Sequence, residues 1–572
     1  MNNDRPARAH AGIARWLPGI ALFRDYPRDA LRGDLVAGLS AFLVMIPSVL
    51  AYSELVGVPP AYGLYAAIGA MAGYALFSRG TPVIAGPDAT TALLAAAVVA
   101  PLAGGDPART MALATALPFL VGAILVLASR LQVGDLADLL SKPVLVGYLN
   151  GSALILIGTQ VGKLLGLPLV NDQFFPRIAE ALSRLPWTHL PTLALGLSLI
   201  GLLYLLKRFA PGVPGSLAVC IVGIVVAYAF DLAQYRIALL GDMPQGLPSP
   251  RLPAVSVQDW LDLAPGALAI ATLVFAEGIL LARAVAANLR QDIDANGELA
   301  ALGTSNLGAG LLGGYTVGSS GSRTLTVAAY GGRTQMAQWV ATALLLLFVL
   351  VLAPLLKWLP IVALAALLVY TGFALFDWQE NVRLRRLEPG GFRLSLGVSL
   401  GVLLFGVLPG ILAGVALSVV ALLIATARPR DALLRRAPPD HRFHDLDEER
   451  SGVAPPGVLV YRVYAPLVFA NARHVAGRVR GLVRTANEPV RCIVFDMQAV
   501  TRMDITAMEV FDELLDELGE AGIDFRFSHT NRPLREQLMR LGLTSHVGAD
   551  RFFHAAWEAV DDHLGKNGSA PR

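Results

Sequence analysis

Twelve mainly apolar stretches run through the first three-quarters of this 572-residue chain, near 34–54, 60–78, 108–129, 143–162, 190–207, 214–231, 265–287, 297–314, 335–356, 358–376, 393–408 and 409–427. A spanning helix takes about 20 mainly apolar residues. Inside a bilayer every backbone N–H and C=O must be satisfied within the protein, which leaves helices as the solution for such stretches. Two further segments are shorter and open on glycine: GPDATTALLAAAVVA (86–100) and GSRTLTVAAYGG (321–332). Counting both predicts a polytopic α-helical membrane protein of 14 helices, with the short ones third and tenth.

Charge placement tests that count. Only 16% of residues are charged and 55% are hydrophobic, yet residues 440–572 hold 36 of the 89 charged side chains, so a soluble domain follows the membrane body. Arg24, Arg28 and Arg32 precede the first helix, and Arg428, Arg430, Arg435 and Arg436 follow the last. Arg79, Arg130, Lys207, Arg208, Arg290, Arg333 and Arg383–Arg386 fall in alternate loops on that same face, whereas Arg109, Lys163, Arg177 and Arg251 make a thinner set opposite. The positive-inside rule then puts both termini and the soluble domain in the cytoplasm, in a multi-pass protein of the inner (cytoplasmic) membrane. The expected organisation is a cytoplasmic N-terminal segment (1–32), a transport body (33–428, with repeats 33–235 and 260–428), a linker (429–456), a small domain (457–565) and a tail (566–572). No cleavable signal is expected, and Trp16 to Phe23 reads as a short interfacial anchor. The net charge of +3 argues against nucleic acid, and Cys220 and Cys492 fall in different regions, against a disulfide.

Splitting after the seventh helix puts each short segment third in its half, and an odd count per half makes the repeats inverted (7+7). Matched, interrupted segments of this kind point to a transporter's midplane site. Helix starts leave backbone N–H groups without intrahelical partners and carry roughly half a positive charge. Opposed starts therefore make an anion site. Ala89 and Thr90 sit at one start; Ser319, Ser320, Gly321 and Ser322 sit at the other, beside Arg323. Arginine at membrane depth costs about 2.5–3.5 kcal/mol on insertion scales, so it needs a partner, and a mobile anion suits it. Asp88 reads as an N-cap. Glu277, in FAEGILLAR, is either a structural partner for Arg323 and backbone donors or a proton acceptor coupled to transport; Glu54 reads as a solvated helix end. Carrying a divalent anion into a cell 100 mV negative inside opposes about 4.6 kcal/mol, which co-transported protons would cancel.

Gly308–Gly313 matches GxGxxG, but it follows a helical stretch with no acid about 20 residues on, so small-residue helix packing explains it better than nucleotide binding. His441 and His444 lie in a polar linker and complete no metal set. Neither a catalytic constellation nor a phosphate loop is evident, so no enzyme activity, cofactor or metal is expected. In the tail, VLVYRVYAPLVF, VRCIVFDM and IDFRFSH read as strands. MEVFDELLDEL and segments 533–541 and 554–563 read as helices, which makes a small α/β domain.

The segments IPSVLAYSELVGVPPAYGLYAA, VIAGPDATTALL, FAEGILLAR and GSSGSRT resemble the sulfate-permease (SulP) family, also called solute carrier family 26. VFDMQAVTRMDITAMEVFDELL is similar to a STAS domain. The resemblance implies a uracil-permease-like inverted-repeat fold, an elevator-like movement of a core against a gate, and a homodimer, with a regulatory protein as a further partner of the STAS domain. It places the anion between Ala89–Thr90 and Ser319–Arg323, with Ser48 and Tyr52 of the first motif beside it and Glu277 as the acidic position of the eighth helix. The family's frequent glutamine is Ser48 here, which bears on anion selectivity. Leu281 replaces a small hydroxyl, favouring protons over sodium, and Ile505 replaces a phosphoacceptor serine, although Thr506 keeps a hydroxyl. The expectation is proton-coupled transport of an inorganic anion, sulfate first. The alternative is an exchanger, or a bicarbonate or dicarboxylate transporter, without proton coupling.

Overall fold

The computed structural model describes residues 17–24, 26–78, 82–134, 141–243, 246, 250, 252–289, 292–436, 443–445, 453–540 and 547–565. Trp16, Arg79, Arg251, Arg290, His441 and the tail 566–572 lie outside them. The contacts divide the chain at Ser418 and Val419 into two compact units.

The first unit is helical: α1 (Pro18–Arg24), α2 (Leu31–Val56), α3 (Ala61–Phe77), α4 (Ala89–Ala103), α5 (Pro107–Arg130), α6 (Lys142–Leu165), α7 (Phe174–Ser183), α8 (Leu190–Phe209), α9 (Gly215–Phe230), α10 (Val257–Leu289), α11 (Ala295–Leu311), α12 (Gly321–Ala329), α13 (Met336–Val351), α14 (Ile361–Leu375), α15 (Trp378–Leu387), α16 (Pro389–Phe405) and α17 (Val407–Ala427), which runs past the boundary. A helix covers each segment read from the sequence. Among the described residues seven are long and apolar enough to cross a membrane, and five more are apolar but shorter, so helix length alone does not fix the number of spans. The short segments differ in detail from expectation. Residues 85–86 and 318–319 are strands β1 and β2; the first helix begins at Ala89 rather than Gly86, and the second begins at Gly321 as read but ends at Ala329 rather than Gly332. The eighth apolar segment starts earlier than read, at Val257 rather than 265 or 260, because Asp259 in the first turn bonds Ser256 and Arg109.

Helices α2–α5 and α10–α13 pack together; α6, α8, α9, α14, α16 and α17 form a second group, with α4 meeting α6 and α2 meeting α9 and α14 where the groups touch. Glycine sets the closest contact of the first group. A Cβ on Gly69 of α3 would stand 2.1 Å from the Gly308 carbonyl oxygen of α11, and one on Gly308 would stand 2.3 Å from that of Gly69. The GxGxxG run is thus backbone-to-backbone packing. Glu54, read as solvated, is ion-paired with Lys163 at 2.6 Å, because the end of α6 brings the lysine over it.

The second unit carries a five-stranded sheet in the order β3 (Asp431–Leu433), β6 (Val458–Val463), β7 (Cys492–Asp496), β8 (Asp524–Ser528), β9 (Phe552–Phe553); β3 runs antiparallel to β6 and the others are parallel. A separate pair joins β4 (Arg435–Arg436) to β5 (Phe443–His444). Residues 429–456, read as linker, therefore supply an edge strand, since Leu433 and Asp431 pair with Tyr461 and Val463. Alternation along the strands sorts side chains to two faces. Leu459, Tyr461, Val463, Ile493 and Phe495 pack with α18 (Ala472–Thr485) and α19 (Ile505–Glu520). Val458, Val460, Cys492 and Val494 face α21 (Ala556–His563). A further helix, α20 (Arg532–Arg540), buries Leu534 and Leu538 against the first face. Both cysteines are free and buried.

At the carboxyl end of β7, burial would raise the Asp496 carboxyl. His529 Nδ1 at 3.2 Å, Arg462 Nη2 at 2.7 Å and the Gln498 N–H at 2.9 Å outweigh it and hold the carboxyl below its ordinary range. A depressed folded value means the contribution is present above the unfolded value of about 3.9 and is lost as pH falls through the lower folded one.

Two predictions follow from this packing. Gly69→Val should drive α3 from α11 and cost about 3 kcal/mol; a melting temperature in detergent equal to wild type contradicts it. Asp496→Asn should cost the sheet about 3 kcal/mol at pH 7, since it leaves the Arg462 charge half-buried and unbalanced. Hydrogen exchange of the β6–β8 amides in the full chain measures that loss, and the difference from wild type should shrink below about pH 4.

Candidate functional site

The two short helices are held start-to-start by main chain. Strands β1 and β2 pair antiparallel, Ala85 with Ser319 and Gly86 with Gly318. Ser320 N donates to Ile84 O at 2.9 Å, and Ile84 N donates to Thr324 Oγ1 at 2.9 Å. Ala85 N donates to Gln338 Oε1 at 3.0 Å, and Gln338 Nε2 donates in turn to Met71 O. Asn306 of α11 spans the Val317 amide, accepting from its N–H and donating to its carbonyl. Irregular backbone at this depth is thereby satisfied within the protein, as lipid requires.

Asp88 caps α4: Oδ1 accepts from Thr90 N at 2.8 Å and Thr91 N at 3.0 Å, and Oδ2 accepts from Thr91 Oγ1 at 2.8 Å. The N-cap reading of Asp88 holds. At α12 the cap is Ser320, whose side chain bonds no backbone N–H of the first turn, and Gly321 and Ser322 are exposed. Arg323 is 1% exposed. Its Nη2 donates to Pro87 O at 2.6 Å, across the strand pair, while Nε and Nη1 are buried with no hydrogen-bond partner among the described residues. Gly86 makes room: a Cβ there would lie 3.4 Å from Nη2 and 3.6 Å from Nη1. Two guanidinium nitrogens, with three N–H groups between them, are thus left for an acceptor.

Glu277 reaches the same place from α10. Thr90 Oγ1 lies 2.5 Å from Asp88 Oδ1 and 3.1 Å from Glu277 Oε2, and Glu277 Oε1 is buried without a partner. A threonine hydroxyl has one hydrogen to give. It cannot serve both carboxylates; the trio is satisfied when Glu277 carries a proton and donates to Thr90, which donates to Asp88. Gly278 lets the α12 segment approach, since a Cβ there would stand 3.0 Å from Ser319 Oγ.

The structure therefore brings together Ala89, Thr90, Glu277, Ser319, Ser320 and Arg323, with Gly321 and Ser322 on the first turn of α12. Tyr52 on α2 is buried and close enough to feel the Arg323 charge. Ser48 lies one turn before it on the same helix, and its hydroxyl turns back to the Val44 and Met45 carbonyls. Sequence reading missed Gln338 and Asn306, which fasten the strands, and Tyr148 with Ser152 on α6. Both hydroxyls of the latter pair are buried and unpartnered, and Thr90 and Glu277 are among the neighbours acting on Tyr148. Their signal was there, in polar residues four apart on an apolar helix. In the second unit Cys492, Asp524 and His563 place ligand-type atoms within 4.8 Å, but Asp524 is already engaged by Arg526 and Arg551, which a cation would have to displace.

Comparison with known proteins places this geometry. The sulfate permease family model matches residues 31–398, and the STAS domain model matches 452–559. A probable sulfate transporter of Mycobacterium tuberculosis is 39% identical over 547 residues, covering 96% of this chain and 98% of its own. A chloroplastic sulfate transporter of Arabidopsis thaliana is 26% identical, covering 92% and 79%. Among solved structures, the murine solute carrier 26 family member A9 anion transporter in its inward-facing state superposes with a TM-score of 0.87 at 19% identity, over 98% of this chain and 97% of that one. The transmembrane domain of a cyanobacterium bicarbonate transporter superposes with a TM-score of 0.60 at 22% identity, over 68% and 97%. The chain is a multi-pass membrane protein of the sulfate permease family of anion transporters, not an enzyme, and carries a STAS domain after its helical body.

Proposed function

We propose that the chain imports an inorganic oxyanion, sulfate first, together with protons across the cytoplasmic membrane. The observation that carries the reading is Arg323, buried between two opposed helix starts with two guanidinium nitrogens unpartnered among the described residues. Sulfate as the cargo is supported by the description of the 39%-identical relative as a probable sulfate transporter. Backbone N–H groups of Ala89, Gly321 and Ser322, with the Ser319 and Ser320 hydroxyls, add donors suited to a tetrahedral oxyanion. Ser48 and Tyr52 wall it from α2.

Charge balance supports the proton. Arg323 contributes one positive charge, Asp88 one negative, and the two helix starts roughly half a positive charge each. With Glu277 ionised the site is near neutral; with Glu277 protonated it is positive by about one unit, by the same sum. An anion and a proton therefore favour each other's binding, which is what symport requires. The Thr90 hydrogen count supports the same protonated form.

In this reading the fourteen helices are two inverted repeats of seven. Helices α2–α5 and α10–α13 are the core that carries the site, moving in an elevator-like way along the second group. The organisation proposed keeps segment 1–32 and repeats ending at 235 and 428, starts the second repeat with α10 at Val257, and counts the edge strand at 431–433 with the STAS domain read at 457–565. The protein works as a homodimer with termini and STAS domain cytoplasmic, the latter open to a regulatory partner.

Proteoliposome uptake tests both roles. Arg323→Ala should weaken sulfate binding at least about 100-fold, the loss of a charge-assisted bidentate donor; unchanged affinity and rate would remove the arginine from the site. Glu277→Gln should leave uptake independent of an imposed pH gradient, whereas wild type should accumulate sulfate when the outside is acid. A Glu277→Gln protein with the wild-type pH profile would falsify the coupling role.

A further inference from the structure

Tyr148 stands where the two helix groups meet at the site. On α6, Gly147 and Gly151 are pressed on α16, a Cβ on the former falling 2.3 Å from Ser395 O and one on the latter 2.8 Å from the Val402 side chain. Tyr148 and Ser152, each one residue further on, share the adjacent face, and α6 packs on α4. Both hydroxyls are buried and without a hydrogen-bond partner among the described residues. The side chains acting on the Tyr148 hydroxyl are Glu277 and Asp88 through their charges, and Thr90 and Ser152 as polar neighbours. Glu277 Oε1 is likewise buried and unpartnered. The Tyr148 hydroxyl thus adjoins Thr90, whose Oγ1 lies 3.1 Å from Glu277 Oε2, the tyrosine on the second helix group and the acid on the first.

We propose that Tyr148 is a positioning residue of transport: its hydroxyl donates to the Glu277 carboxylate once that group has released its proton, tying α6 to the first helix group in the deprotonated state. The inference rests on the proton role of Glu277 proposed above. When Glu277 is protonated it donates to Thr90, and Tyr148 has no carboxylate to serve. When Glu277 is ionised, Thr90 has spent its single hydrogen on Asp88, and of the two unpartnered hydroxyls on α6 Tyr148 is the one on which the Glu277 charge is seen to act. The other ionisable group acting on both Tyr148 and Glu277 is Asp88 at the start of α4; Arg323 on α12, Tyr52 on α2 and Tyr315 before β2 act on Asp88 and on one another. Asp88 has its own N–H and hydroxyl donors, and Arg323 is committed to Pro87 O on one side.

Sulfate uptake against pH in proteoliposomes tests this with Tyr148→Phe, which keeps the ring and loses the donor. Removing a hydrogen bond from the ionised form makes the proton harder to release, so the midpoint of the profile should move up by about one pH unit, a tenfold change in proton affinity. A wild-type midpoint overturns the proposal. In a Glu277→Gln background the tyrosine substitution should change nothing further; an equal shift there shows the hydroxyl acting elsewhere and also overturns it. If Glu277→Gln alone keeps the wild-type profile, the proton reading itself fails, a result distinct from failure of Tyr148. Should Tyr148→Phe not fold, 3-fluorotyrosine at position 148, a stronger donor of nearly the same shape, should move the midpoint down, and no shift rejects the role.

Discussion

Everything at the site depends on four residues of β-structure placed where lipid allows no unpaired backbone. Two helices that start here leave four N–H groups each to account for. Pairing Ala85–Gly86 with Gly318–Ser319 disposes of the connecting segments, and Asn306, Gln338 and Thr324 take the amide groups that the short ladder cannot reach. Asp88 takes the N–H groups of Thr90 and Thr91, so those left for the ligand proposed above are the Ala89 N–H and the first turn of α12. The rest of the body serves to hold that cross: α11, wedged at glycine distance against α3 and packed on α5, carries Asn306, and α13 carries Gln338.

Much of this was legible in the sequence because membranes punish exceptions. An arginine in an apolar region, an acid in FAEGILLAR and two segments too short to span each cost enough to need a reason, and each lies at the site. Asp88 was legible for a local reason, as a cap before Ala89 with threonines following. Other features were hidden because they depend on partners far along the chain. Glu54 looked solvated until α6 brought Lys163 over it. The strand at 431–433 looked like linker because three residues carry no period, and its pairing with β6 is set by a register 30 residues away. Tyr148 was passed over because a lone tyrosine on an apolar helix is unremarkable; only the glycines on the neighbouring face, and what they press against, show which way it must turn.

The buried groups also explain how a cavity with two carboxylates can suit an anion. Asp88 is neutralised locally by the amides and hydroxyl of its own helix turn, so its charge is spent on structure. Glu277 has no such retinue: one oxygen shares Thr90 and the other has no partner. The two acids differ in fate because they differ in donors. That difference is what the proton role proposed for Glu277 draws on.

The bond from Arg323 to the Pro87 carbonyl bears on how such a site lets go. The arginine's backbone belongs to α12, but its head is fastened to the segment that begins α4, and the strand pair fastens the same two pieces again. They cannot part like the jaws of a clamp without breaking both connections in a medium that offers no replacement for either. In the transport reading proposed above, an anion's exit is therefore opened by the wall around the site, and the cradle moves whole while only its view of the water changes.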